Sequence, residues 1–179
     1  MLRKSNKKAT NRELQSTGCA SFEVIEMAIV FDSTFCAKDG GGSFSRARQE
    51  AENIVAQASV FFQRQGVCGK VNIRHLEGYC SASSDPYSGI VRNGDMSCFP
   101  ATSRDILRNF RSFWSRNRSN ISRDSAHLFF NVRKGRAVGC ASVNALCSKE
   151  RGYGVNDMSI SGTTFRKSIL FAHELGHNA

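Results

Sequence analysis

The sequence predicts an α/β (α+β) chain: a mixed, mostly parallel, twisted sheet of about five strands with two large helices and a further helix at the carboxy-terminal end. Three observations predict it. An apolar run ending at Phe31 reads as a strand covered on both faces, a 3.6-residue apolar period follows from Phe44, and alternation resumes at Val71. Strand, long helix and strand in that order make a crossover unit of a parallel sheet, expected to be right-handed.

Residues 1–21 are polar and charged without a period and read as a basic, disordered tail or linker ahead of a domain spanning 22–179. Phe22 to Phe31 begins with alternation and ends as an unbroken apolar stretch. Asp32-Ser33-Thr34 follows, and Lys38-Asp39-Gly40-Gly41-Gly42 reads as a flexible turn. From Phe44 to Gln65 apolar residues recur at Phe44, Ala47, Ala51, Ile54, Val55, Ala58, Phe61 and Phe62, one face of a helix that Gly66 can end. Val71 to Leu76 alternates as a second strand.

Glycine, serine and aspartate dominate Gly78 to Asp95, a long loop expected to hold Cys80 and Cys98. Thr102 or Ser103 is placed to cap a second large helix reaching Arg116, with Ile106, Leu107, Phe110, Phe113 and Trp114 inward. Ala126 to Val132 reads as a third strand. Gly139 to Cys147 reads as a fourth, its glycine and small residues leaving an open edge, and Tyr153 to Ile160 as a fifth. Ser161 to Thr164 then lead into the last helix, and no internal repeat is visible.

A length of 179 residues allows one domain with a proper core. The longest apolar run, Met27 to Phe31, is far short of the ~20 residues that cross a bilayer, so no membrane span is expected. The basic start is followed by no apolar signal segment. Seven cysteines are nevertheless many, and none forms a C-x-x-C pair. Cys36, Cys68, Cys80, Cys98, Cys140 and Cys147 read as disulfide candidates, which implies an extracellular or secretory-pathway location. The two observations agree if the true amino terminus lies upstream. Asn117 and Asn120 each begin an N-x-S sequon compatible with glycosylation.

The net charge of +10 raises nucleic acid as a partner. The charge lies in the first residues and in the stretch Arg104 to Arg123, neither accompanied by a nucleic-acid-binding motif, so a solvated basic helix face and a charged tail are expected and nucleic acid is not. Binding of DNA or RNA through Arg108, Arg111 and Arg116, steeply dependent on salt, would reverse that reading.

The chemistry concentrates in His173-Glu174-Leu175-Gly176-His177. Histidines four apart on a helix share a face, so both imidazoles can reach one metal ion, and the intervening glutamate can act as general base on a water without being a ligand. The preceding Ser168 to Ala172 is helix-compatible and mainly apolar. Gly176 in a helix interior costs about 1 kcal/mol relative to alanine, which predicts another backbone closely packed there. Of the other histidines, His127 in an apolar strand reads as a hydrogen-bonded core residue, and His75 as distant from the motif; neither is expected as a ligand.

The order His127-Leu128-Phe129-Phe130, Val138 to Cys147, Tyr153-Gly154-Val155 and Ala172 to Asn178, with glycine after Leu175 and asparagine after His177, resembles the metzincin zinc metalloproteases, in particular the adamalysin/reprolysin group, over roughly Phe22 to Ala179. The resemblance implies the upper, N-terminal subdomain of a catalytic domain, a Zn2+ cofactor, and a protein or peptide substrate. It implies His173 and His177 as ligands and Glu174 as general base. It also implies an edge strand, Gly139, Cys140, Ala141, Ser142 and Val143, along which an extended substrate lies. The family pattern H-E-x-x-H-x-x-G-x-x-H runs past Ala179, so a third histidine ligand and the C-terminal subdomain are expected beyond it, together with a partner for Cys147. As written the chain is expected to hold zinc weakly and have little activity. The alternative function is an inert, metalloprotease-like fragment that binds proteins.

Overall fold

The computed structural model describes residues 21–64, 67–98, 102–160 and 162–179. The expected tail and the helix stop at Gly66 lie outside them. In chain order the elements are β1 (Glu23–Phe31), α1 (Ser33–Lys38), α2 (Phe44–Arg64), β2 (Gly69–Gly78), α3 (Ser88–Asn93), α4 (Ile106–Asn117), β3 (Ser125–Phe130), β4 (Gly139–Ala141), β5 (Tyr153–Asp157), a 3-10 turn (Met158–Ile160) and α5 (Thr164–Asn178). The strands form one sheet in the order β2-β1-β3-β5-β4. All pairings are parallel except β4 with β5, so the sheet is mixed and mostly parallel as its sequence predicts.

The alternation within β1 divides the core. Ile25, Met27, Ile29 and Phe31 pack with α2 and with Leu170, Phe171 and Leu175 of α5. Ala28 and Val30 face the other way, with Tyr87, Val91 and the α4 residues Ile106, Phe110 and Trp114. A central strand covered by helices on both sides needs an unbroken apolar run, which is what its sequence supplies.

The structure departs from the sequence reading in five places. Asp32 caps a short helix, α1, its Oδ1 accepting from the Thr34 and Phe35 amides at 3.0 and 2.9 Å. The loop after β2 contains α3. Asp105, rather than Thr102 or Ser103, caps α4, its Oδ1 accepting from the Arg108 amide at 2.8 Å. The fourth strand stops at Ala141, because Asn144 and Cys147 adopt φ of 50° and 65° and the intervening amides turn onto the end of α5. The fifth likewise ends at Asp157 and passes into the 3-10 turn.

Two disulfides staple the layers, Cys36–Cys80 and Cys98–Cys140, and Cys68 is also disulfide-bonded. Cys147, the remaining candidate, is a free thiol that donates to Asp124 Oδ1 at 3.4 Å. No helix of the described residues is long and apolar enough to cross a membrane.

Candidate active site

Helix α5 carries the motif, and its sequence explains where it lies. Thr163 caps it by accepting from the Arg166 amide at 3.4 Å, and Leu170, Phe171 and Leu175 bury one side against α2 and the sheet. Lys167 is buried and locks the first turn to the α1–α2 connection through Asp39 and to α2 itself through Glu50 at 3.0 Å. This ion pair and the apolar side fix the rotation of the helix.

With that rotation His173 and His177 point outward together. Their Nε2 atoms lie 3.1 Å apart with the rings nearly perpendicular. Two nitrogens bound to one tetrahedral zinc at ~2.0–2.1 Å would be about 3.3 Å apart, so the pair fits such an ion with almost no adjustment. The donor set, neutral imidazole nitrogen, suits zinc as well. Among the described residues no three His, Cys, Asp or Glu side chains converge on one point, and neither His75 nor His127 approaches the pair as a ligand.

Glu174 lies on the inner side, 4% exposed. Its carboxyl packs directly beneath Gly139 of β4: a Cβ built there would stand 2.3 Å from Glu174 Oε1. Glycine is therefore needed at that point of the edge strand for the carboxylate to fit. Glu174 Oε2 is buried with no hydrogen-bond partner, and burial pushes the carboxyl up to about 7. A cation held by the neighbouring imidazoles would draw it down again.

The end of the helix is tied to the edge strand by a buried polar network that sequence reasoning missed. Asn178 Oδ1 accepts from Ser125 Oγ at 2.6 Å and pairs with His127 Nε2 at 2.9 Å. Its Nδ2 donates to the carbonyls of Ser142 and Tyr153 at 2.7 and 3.2 Å. The amides of Asn144, Ala145 and Leu146 donate to the carbonyls of His177 and Asn178. His127, read from the sequence as a core residue, is fully buried, with Nδ1 3.1 Å from Asn156 Nδ2, and burial lowers its pKa to about 4. Gly154 leaves it room, since a Cβ there would meet the imidazole at 2.3 Å.

Gly176 corrects the expectation placed on it. Among the described residues, nothing apart from its chain neighbours and its own helix backbone lies within 4 Å of where its Cβ would be. It is exposed and lines an apolar groove of about 560 Å³ with Phe61, Phe62, Ile169, Ala172 and His173. Of the predicted substrate strand, Gly139, Cys140 and Ala141 form β4 at the sheet edge, while Ser142 and Val143 continue it as irregular backbone.

Residues 22–179 match the sequence model of metallo-peptidase family M12, the Reprolysin_5 group. The chain belongs to this family. The M12 assignment agrees with the mixed sheet, the helix-borne histidine pair and the intervening glutamate. A solved structure of a chaperone–substrate complex has a similar fold, with a TM-score of 0.60 and 20% identity. That similarity covers 88% of the M12 chain but 23% of the other, so the chain spans about a quarter of the length of the protein it resembles. No curated protein matches it in sequence.

Proposed function

We propose that this M12 chain is the zinc-binding upper part of a secreted metalloendopeptidase domain. The observation that carries the reading is the convergence of His173 and His177 on one point 3.1 Å across, with the Glu174 carboxyl on the same helix turned under the edge strand. His173 and His177 would hold Zn2+, with a further ligand from outside the described residues. When bound, zinc supplies Lewis acidity, polarising a peptide carbonyl and acidifying water.

The remaining work falls to the chain itself. The outer edge of β4 offers backbone hydrogen bonds to an extended peptide, since among the described residues β4 pairs with β5 on its other side alone. Glu174 takes a proton at its carboxylate from the attacking water and returns it to the departing amine. The Asn178 network holds the edge strand and the end of α5 in one register, so a peptide on the strand and the carboxylate keep their spacing. Disulfides on both sides of the sheet support a location in the secretory pathway or outside the cell.

A second reading is an inert relative that captures proteins along the same strand, since the open edge of β4 offers backbone hydrogen bonds whether or not cleavage follows. One experiment separates the two: cleavage of an unstructured protein by the zinc-loaded full-length chain, with zinc affinity measured against a chromophoric chelator. Glu174→Gln is expected to lower cleavage by about 10²–10⁴-fold with zinc affinity unchanged, the range that general-base catalysis contributes. Undiminished cleavage by that variant rejects the role of Glu174. Unchanged zinc affinity after His173→Ala and His177→Ala rejects the metal site, and zinc binding without any cleavage favours the inert relative.

A further inference from the structure

The basic stretch of α4 forms the far wall of a groove whose near wall is the edge strand. Arg108, Arg111 and Arg116 line one side, and Ala141, Ser142 and Val143 the other, around a volume of about 800 Å³. The three arginines are exposed, and among the described residues no carboxylate lies within ion-pair distance of any of them. Their neighbours differ in this respect. Arg118 forks onto Glu77, its Nε 2.8 Å from Oε2, and Arg123 is buried over the Tyr153 ring at 4.6 Å. Among the described residues Asp105 is the one carboxylate lining the groove, but it is 4% exposed and its oxygens already accept from the Arg108 amide and Ser97 Oγ. The groove therefore keeps an uncompensated positive charge.

The pleat of β4 determines what would meet that charge. Cys140 points to the α4 side, where it joins the core and the bridge to Cys98, while Gly139 turns its opposite face to Glu174. A peptide added to the outer edge of β4 alternates in the same way. Every second side chain falls on the arginine side, and those between fall on the Glu174 side.

We infer that the protein selects acidic extended peptides, with Asp or Glu at alternate positions facing Arg108, Arg111 and Arg116. This rests on the reading of β4 as the substrate strand. An open strand edge along the groove favours a peptide over a nucleic acid, because the edge satisfies backbone amides and carbonyls and has no counterpart for stacked bases.

The test uses the zinc-loaded full-length chain and fluorescent peptides that differ only in carrying Glu or Gln at alternate positions, read by anisotropy and by cleavage rate. The Glu peptide is expected to bind about tenfold tighter at low salt, the sum of a few exposed ion pairs, and to lose most of that advantage at high salt. Arg108→Gln/Arg111→Gln/Arg116→Gln should bind the two peptides equally, and Arg108→Glu/Arg111→Glu should reverse the preference toward a Lys peptide, a gain that unfolding cannot produce. Equal binding of Glu and Gln peptides by the parent chain overturns the inference, as does a preference that survives in the triple variant. A single-stranded oligonucleotide that outcompetes the Glu peptide also overturns it. Glu174-dependent cleavage without acidic preference sinks this inference alone. Acidic preference without cleavage keeps the groove and sinks the protease reading.

Discussion

The last turns of α5 present two faces of opposite character. Outward, His173 and His177 are exposed, and among the described residues their ring nitrogens bond each other. Inward, Glu174, Leu175 and Asn178 are buried, and Asn178 alone satisfies four polar groups from β3, β5 and the segment after β4. The outward face carries the two imidazoles proposed as metal ligands and contributes little to folding. The inward face carries the proposed general base, Glu174, and through Leu175 and Asn178 decides where the outward one stands. The site is therefore sensitive to residues that never touch a ligand.

The sharpest way to break this contrast is to truncate one residue from each face in the metal-free protein. Asn178→Leu strands Ser125 Oγ, His127 Nε2 and the Ser142 carbonyl, while the Tyr153 carbonyl keeps the Ser142 amide, and at ~1–3 kcal/mol for an orphaned buried group a loss of about 3 kcal/mol is expected. His177→Ala should change stability by no more than about 0.5 kcal/mol, as for other exposed positions. Urea unfolding measures both. Equal losses would mean the two faces are not divided as described.

The next effect is on pH dependence and comes from His127. In the folded chain its imidazole stays neutral down to about 4, whereas an unfolded histidine takes up a proton near 6.5. The unfolded state thus binds more protons between those values, so this stabilisation is complete above pH 6.5 and disappears as pH falls toward 4, a contribution of ~3 kcal/mol. Asp32 acts in the opposite sense. Burial raises its carboxyl to about 7, so the folded state holds the proton more tightly and stability is lost as pH rises from 3.8 toward 7. Glu174, raised to about 7 by burial, and Asp157, also raised by burial, act in the same sense as Asp32, so the parent chain shows the sum of such groups and comparison with a variant isolates one of them. His127→Gln should be less stable at neutral pH yet lose less than the parent on acidification to pH 4.5. A parallel decline in both proteins would show that His127 is not held neutral by the network.

How much of this was legible in the sequence depended on range. Long periodic segments, β1 and α2 above all, announce themselves because many residues repeat one choice of face. The helices α1 and α3 have six residues each, less than two turns, too few for a period to emerge. Asp32 and Asp105 could have served as cap signals, but neighbouring serines and threonines offered the same chemistry. The fourth strand was read too long because small residues from Ser142 to Cys147 are compatible with extension, whereas their real partner, the end of α5, lies more than thirty residues away. The histidine pair was legible since i, i+4 spacing is local. The Gly139–Glu174 and His127–Asn178 contacts were not, because each joins residues 35 or more positions apart.

The smallest effect separates two glycines that look alike in sequence. Gly139 has no room for a methyl group, because Glu174 occupies the space, while Gly176 has open space around it and lies within a helix. Gly176→Ala should therefore stabilise the metal-free chain by about 0.5–1 kcal/mol through helix propensity and a less entropic unfolded state. That corresponds to a rise of roughly 1–4 °C in Tm by calorimetry for a chain of this size. The added methyl enters the apolar groove beside His173 without touching the helix's inward face, so zinc affinity should be unchanged. A fall in Tm would show that a backbone or side chain does pack against Gly176 in solution, and the outward face could then no longer be treated as free of packing constraints.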